Sequence, residues 1–312
     1  MTDRPPPHIQ LRTQSGSDDR VLPFAIDQQD MRGRLVRLGP VLNEILDAHN
    51  YPANVAHVLA EVLTLTALLG SMLKEDGRLT IQAKSDGAIS LLVADYFDGG
   101  GMRGYAQFDA AAVSNYGRGA SLNALTGRGY LALTLEQGED AERYQGIVDL
   151  DGESLSECAT LYFAQSEQTP TRLRLAAQQD ETGWWRAGGL LLQHLSRGED
   201  GGPRLLSPDQ QEDWNRVSTL MMSVRDTELL AADLASPDLL FRLFHEEGVR
   251  VFDPVAISRD CRCNRERLAS VLARFPEEDL AHMEEDGVIT ATCEYCNTRY
   301  AFDRAELTPD AA

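Results

Sequence analysis

The 312-residue chain is 43% apolar and 25% charged, which suits a globular protein with an ample core, arranged as one large domain and a smaller one. Its 49 acidic and 29 basic residues leave a formal net charge of −20. That balance argues against nucleic acid or an anionic membrane as a partner, because both select positive charge.

Residues 1 to about 20 are polar, with Pro5-Pro6-Pro7 and Ser15-Gly16-Ser17, and read as a loose tail. The opening Met1-Thr2-Asp3-Arg4 lacks the apolar run of a signal peptide, so the cytoplasm is the expected compartment. Residues 32–38 alternate well enough for a strand, and Pro40 suits the first turn of a helix through Leu46. Tyr51-Pro52 opens a second helix expected to reach Lys74, apolar around most of its circumference and therefore buried on most sides. His57, Glu61 and several Thr and Ser within it favour a core helix over a membrane span.

A β-rich run follows. Residues 79–84, 89–95 and 102–108 read as strands, with turns at Asp86-Gly87 and Asp98-Gly99-Gly100-Gly101. The glycine run has no G-x-x-x-x-G-K-S/T pattern and no helix start after it, so it reads as a hairpin turn rather than a phosphate cradle. Residues 130–135 and 144–149 form a further hairpin through Gly138-Glu139-Asp140. A helix over 154–164 places Leu155, Cys158, Leu161 and Tyr162 on one side, which makes Cys158 a small core residue rather than a reactive thiol. Strands are expected at 171–177 and 184–195, the second starting at Trp184-Trp185.

The run from Arg197 to Pro203 is a break in composition and the first domain boundary. Beyond it, Ser207-Pro208-Asp209-Gln210 carries an N-cap serine, a proline at the first helical position and a capping-box glutamine. Trp214, Val217, Leu220, Met221 and Val224 then recur at three- and four-residue steps. Ser236-Pro237 begins another helix with Leu239, Leu240, Leu243 and Phe244, which Gly248 stops. Helices with one apolar stripe and charge elsewhere are stable only while docked, so this stretch reads as a helical linker packed over the β-rich domain. The expected architecture is α+β: a β-sheet-rich N-terminal domain with packed helices over 1–203, a helical linker over 204–248, and a small four-cysteine domain over 249–312.

Four of the five cysteines lie in that last domain, as Cys261-Arg262-Cys263 and Cys293-Glu294-Tyr295-Cys296. A C-x-C and a C-x-x-C separated by a helical spacer (264–286) can bring four sulfurs to one tetrahedral centre, the closed arrangement of a structural zinc. The spacer carries Leu268, Val271, Leu272 and Phe275, restarts at Pro276 and ends at Gly287, before a short strand at 288–291. Asn297 suits the left-handed turn after the last ligand, and Tyr295, Tyr300 and Phe302 offer apolar cover. Arg259, Arg262, Arg265, Arg267 and Arg299 either favour the negative charge of thiolates or are solvated surface.

Rival readings of the cysteines are two structural disulfides, a thioredoxin-like redox pair, and a static zinc ribbon that binds a protein partner. Spacing alone favours a static zinc over a metal-gated switch. No catalytic constellation emerges. Four cysteine ligands leave no open metal position, the six histidines make no H-E-x-x-H, and Ser166 lacks a G-x-S-x-G elbow. His57, His194 and His245 read as core or surface residues.

Longer motifs add to the cysteines. Val251-Phe252-Asp253-Pro254 precedes them, Tyr162-Phe163-Ala164-Gln165-Ser166-Glu167-Gln168-Thr169-Pro170-Thr171 leaves a helix, and Ala187-Gly188-Gly189-Leu190-Leu191-Leu192-Gln193 lies in a strand. Leu91-Leu92-Val93-Ala94-Asp95, Gly127-Arg128-Gly129-Tyr130-Leu131 and Leu243-Phe244-His245-Glu246-Glu247 follow the same collinear order. From about Phe24 to Phe302 the chain resembles the bacterial 33 kDa chaperonin family, redox-regulated heat-shock chaperones that work without ATP. It departs from them in a longer polar N-terminus and an extended linker region.

The resemblance implies one zinc per chain, held in the reduced form by Cys261, Cys263, Cys293 and Cys296. It implies that oxidation pairs Cys261 with Cys263 and Cys293 with Cys296, and that zinc then leaves. The C-terminal domain and linker would unfold, and the exposed surface would hold unfolding client proteins. A homodimer is expected in the oxidised form.

Overall fold

The computed structural model describes residues 18–74, 76–117, 119–138, 143–195 and 206–307. The polar tail up to Ser17, the Glu139-Asp140 turn and the break at 197–203 lie outside the described residues. The chain forms two compact units, Met1–Arg259 and Asp260–Ala312.

The larger unit opens with β1 (Arg20–Ile26) and β2 (Met31–Leu38), then α1 (Pro40–Leu46) and α2 (Ala53–Gly70). Next come β3 (Gly77–Ser85), β4 (Ile89–Phe97), β5 (Gly101–Phe108), the short α3 (Ala110–Val113) and α4 (Leu122–Thr126), and the pair β6 (Gly129–Gln137) and β7 (Tyr144–Asp149). Then α5 (Leu155–Tyr162) leads to β8 (Thr171–Gln179) and β9 (Trp185–His194). Three helices follow, α6 (Pro208–Met222), α7 (Asp226–Leu229) and α8 (Ser236–Phe244), and three short strands close the unit: β10 (Val249–Val251), β11 (Val255–Ala256) and β12 (Ser258–Arg259).

These strands make two sheets. One has the order β10-β1-β2-β9-β8, with β11 also on β1, and the other runs β12-β5-β4-β3-β6-β7. All pairs are antiparallel except β12 on β5. Helix α2 lies between the sheets and contributes Val55, Leu59, Val62, Leu63 and Leu68 to their shared core. Its length and composition would suit a membrane span, but most of it is buried inside this unit. It is shorter than the expected 51–74. Pro52 supplies the N-cap position, and Ser71 at the other end takes hydrogen bonds from Arg34 through its hydroxyl and carbonyl.

The first sheet is covered on both faces at its centre, so β9 is buried along its whole length and runs apolar from Ala187 to Leu192 without alternation. On β9, Ala187 and Leu191 face the shared core, whereas Leu190 and Leu192 face a second core built with α6, α7 and α8. Gly188 and Gly189 let both layers approach: a Cβ on Gly188 would meet Leu229 of α7, and one on Gly189 would meet Thr64 and Leu68 of α2. In the second core Trp214, Val217, Met221, Leu239, Leu240, Leu243 and Phe244 cover Leu22, Phe24, Met31 and Leu35. Phe244 stacks on Phe24 with ring centroids 5.6 Å apart. Ser207 caps α6 with the expected capping box to Gln210.

Polar ties supplement this packing. Arg37 of β2 is 1% exposed, and its guanidinium donates to the carbonyls of Leu229 (3.0 Å), Glu228 (2.9 Å) and Leu234. Glu247, just after α8, accepts from Arg216 at 2.8 and 3.0 Å and from Gln29 at 3.1 Å. In the second sheet, Asp95 of the Leu-Leu-Val-Ala-Asp motif is fully buried between Arg78, Arg103 and the Thr80 hydroxyl, which gives it a structural role.

One packing expectation needs correction. Leu161 is 39% exposed, because α5 docks through Leu155, Cys158, Ala159 and Tyr162, a three- and four-step stripe that Leu161 falls outside.

The smaller unit consists of α9 (Arg265–Leu272), α10 (Glu277–Met283), β13 (Glu284–Glu285), β14 (Val288–Thr292), β15 (Arg299–Asp303) and α11 (Arg304–Leu307). Its three strands pair in sequence order, antiparallel. The buried apolar cluster is small: Leu272, Leu280, Ile289, Phe302 and Leu307. So few side chains are a thin basis for independent folding.

Candidate metal centre

The β14–β15 hairpin pairs Thr292 with Arg299, so Cys293 to Thr298 form its loop. The Cys293 N–H donates to the Thr298 carbonyl at 3.0 Å, and the Asn297 N–H to the Cys293 carbonyl at 2.8 Å. Asn297 has φ 57°, the left-handed turn expected after the last cysteine. This curl sets Cys293 and Cys296 on one side of the loop. Cys261 and Cys263 arrive just before α9, whose N-terminus Asn264 caps by accepting from the Arg267 N–H at 2.7 Å. The positive end of a helix favours thiolate nearby.

The four sulfurs converge. Sγ of Cys261 lies 3.4 Å from that of Cys263 and 3.7 Å from that of Cys293, and Cys263 lies 3.3 Å from Cys296. All four fall within 4.8 Å of one another, a group that could hold a metal ion. Thiolates at about 2.3 Å from a common tetrahedral centre would be about 3.8 Å apart, so little movement separates this arrangement from a filled site. The donor set is all sulfur, which suits zinc.

The thiols differ in acidity. Burial pushes Cys261 up, and Cys263 as well. Burial opposes ionisation of Cys296 too, but hydrogen bonds from the Thr298 hydroxyl and amide, and from its cysteine neighbours, bring it down to about 6. Thr298 Oγ1 is 3.1 Å from Cys296 Sγ, and the Tyr300 hydroxyl is 3.4 Å from Cys263 Sγ. Tyr300, expected as apolar cover, thus turns its polar end to the sulfurs, and hydrogen bonding to Cys263 and burial push its phenol up to about 12. Phe302 is the buried cover. Arg265 serves the unit's packing: it bonds the Ala301 carbonyl and Glu306, each at 2.7 Å, and lies over the Phe302 ring.

The remaining candidates stand apart. Cys158 is 1% exposed with its thiol pushed up by burial, as suits an inert core residue. Ser166 is exposed in a π-helical turn, Phe163–Glu167, that follows α5. His194 is buried and His245 exposed. His57 sits 3.8 Å from Glu61 at a cleft of about 770 Å³ between α2, α5, β8 and α7, which the sequence did not signal.

Residues 19–303 match the family model described as Hsp33 protein. The chain is 43% identical over 293 residues to the 33 kDa chaperonin of Caulobacter vibrioides (strain NA1000 / CB15N), covering 92% of this chain and 95% of the relative. It belongs to the Hsp33 family. Other members are the 33 kDa chaperonins of Ectopseudomonas mendocina, 42% identical over 91% of this chain and 92% of the relative, and of Escherichia coli O7:K1, 37% identical over 93% and 94%. The crystal structure of the 33 kDa chaperonin (heat shock protein 33 homolog) of Thermotoga maritima has the same fold. It superposes with a TM-score of 0.78 at 24% identity, over 93% of this chain and 96% of that one. Hsp33 proteins form a family of chaperones rather than of enzymes, and a chaperone function for this chain follows from membership.

Proposed function

We propose that the protein is an ATP-independent holding chaperone controlled by oxidation of Cys261, Cys263, Cys293 and Cys296. The observation that carries this reading is the convergence of four sulfurs in a unit whose buried apolar cluster, among the described residues, is five side chains. Zinc bound there would keep the four sulfurs as thiolates, the form that reacts with oxidants, and would add on the order of 10 kcal/mol of apparent folding free energy.

Oxidation joins Cys261 to Cys263 and Cys293 to Cys296. Each new S–S bond gives two electrons to one hydrogen peroxide, which takes up two protons and leaves as two waters. Sulfurs tied in disulfides no longer supply four thiolate ligands, so the unit loses its metal and unfolds. In this functional division residues 1–203 form the client-binding core, 204–248 the linker and 249–312 the switch. The linker helices are charged on their outer faces and hold their place only by docking, so they follow the switch and uncover apolar surface for aggregation-prone clients.

The test treats reduced, zinc-loaded protein with peroxide at mild heat. A chromophoric chelator follows zinc, and light scattering follows a thermally aggregating client. Zinc release together with suppressed aggregation is the expected result. Zinc retained, or released with no gain in holding activity, would leave a static zinc-ribbon protein acting as a binding module.

A further inference from the structure

The stretch 249–259, with the Val251-Phe252-Asp253-Pro254 motif, is the last part of the larger unit before Cys261. It lies along the outer edges of both sheets. Val249, Arg250 and Val251 of β10 stand opposite Ile26, Ala25 and Phe24 of β1, and Val255 and Ala256 of β11 opposite Val21 and Arg20. Ser258 and Arg259 of β12 then run beside Gly101 and Met102 of β5. Without this stretch β1 and β5 would each present a row of unpaired peptide groups.

Pro23 marks the direction of those groups. Its carbonyl accepts from the Phe252 N–H at 3.0 Å, so its donorless nitrogen faces the same edge, where proline is tolerated. Val21 and Ala25, two residues to either side, turn their peptide groups the same way. The cover is held by this backbone ladder, with Ile257 in the shared core and Val249 and Val255 packed partly against the two cores. Val251 and Phe252 are 42% and 43% exposed, and within 249–259 only Ile257, at 5%, is buried. The strand beneath is fixed by contrast, with Val21, Phe24 and Ile26 buried in two cores.

We infer that 249–259 is a removable edge cover, and that the β1 edge it vacates takes up an extended apolar segment of an unfolding client by strand addition. The inference rests on the switch proposed above, which supplies the event that frees the cover. The cover itself shows what fits: an extended segment with valines at alternate positions, and a basic residue between them paired to Asp27 at 2.9 Å. A backbone ladder reads no sequence, so unrelated clients can use it, while folded proteins have no such segment free.

Hydrogen exchange on the full chain tests this, with reduced, carboxymethylated α-lactalbumin as the permanently unfolded probe. Peptides spanning 19–27 should exchange slowly in the reduced, zinc-loaded form and faster by about tenfold or more after peroxide. Protection should return when the probe is added. A synthetic peptide of residues 248–259 should displace the probe, and a scrambled one should not. Zinc release and light scattering are followed in the same samples. If holding activity appears while 19–27 stays protected, or is exposed and stays so with probe, the edge assignment fails and the switch survives. Protection that returns on oxidation alone, with doubled mass, assigns the edge to a second copy and overturns the inference. Absence of holding activity overturns both.

Discussion

Arg37 is a charged residue sealed between a sheet and the helices that cover it. Burial, then the neighbouring Arg186, lowers its pKa to about 10, so it stays cationic at neutral pH. Replacing it with methionine would keep the bulk and leave the carbonyls of Glu228, Leu229 and Leu234 without their donor. That should cost about 3 kcal/mol or more. Arg37→Met should therefore speed hydrogen exchange across 208–247 while zinc content stays at one per chain; unchanged exchange would show that packing alone holds these helices.

Glu61 makes a pH-dependent contribution at the same scale. Desolvation, reinforced by Asp226 and opposed by Arg174, raises its carboxyl from 4.5 to about 7. The folded chain binds this proton more tightly than the unfolded one. Its contribution is thus fully present below the unfolded pKa and lost as pH rises through about 7. Glu61→Gln should flatten that fall, by no more than about 3 kcal/mol, in urea midpoints compared at acidic and alkaline pH.

At the scale of elements, the two cysteine pairs occupy different settings. Cys293 and Cys296 share a hairpin loop whose curl is already formed, whereas Cys261 and Cys263 flank a single residue ahead of α9. A C-x-C ring is tight to close, with its Cα atoms near the upper limit for a disulfide. The Cys293–Cys296 bond should form first, and mass mapping at partial oxidation reads the order directly. The helices α6 to α8 are held by Phe244 on Phe24, by Arg37 and by the Arg216–Glu247–Gln29 cluster, not by their own propensity. Full oxidation should remove amide protection from 208–247, and persistent protection there would sink linker release.

For the molecule as a whole, stability is uneven. The larger unit carries two extensive cores and the smaller one, among the described residues, an apolar cluster of five buried side chains. Removing zinc with a chelator under reducing conditions should therefore abolish protection across 260–307 and leave the central strands β2, β9, β3 and β4 of the larger unit protected. A chain that lost both at once would be a single cooperative fold. The net charge of −20 suits a protein that exposes apolar surface part of the time, since like charge opposes self-association.

What could be read from the sequence was local in origin. The cysteine spacing, the Ser207 capping box, the left-handed turn at Asn297, the strand alternation in 32–38 and the turn residues at Asp86-Gly87 and 98–101 each depend on residues within a few positions of one another. Other features needed the folded chain. β1 is interrupted by Pro23 and apolar on both faces, so it gives no period-two signal, and β10 to β12 are too short for one. Their pairing joins opposite ends of the sequence through backbone groups that leave no trace in side-chain type. Arg37 reads as a polar position on a strand, because nothing near it in sequence reveals that a second layer covers that face. The Tyr300 hydroxyl likewise gained its role only when the hairpin brought it to Cys263. Periodicity and ligand spacing are properties of neighbours along the chain, whereas edge pairing and the burial of charge are decided by which layers meet.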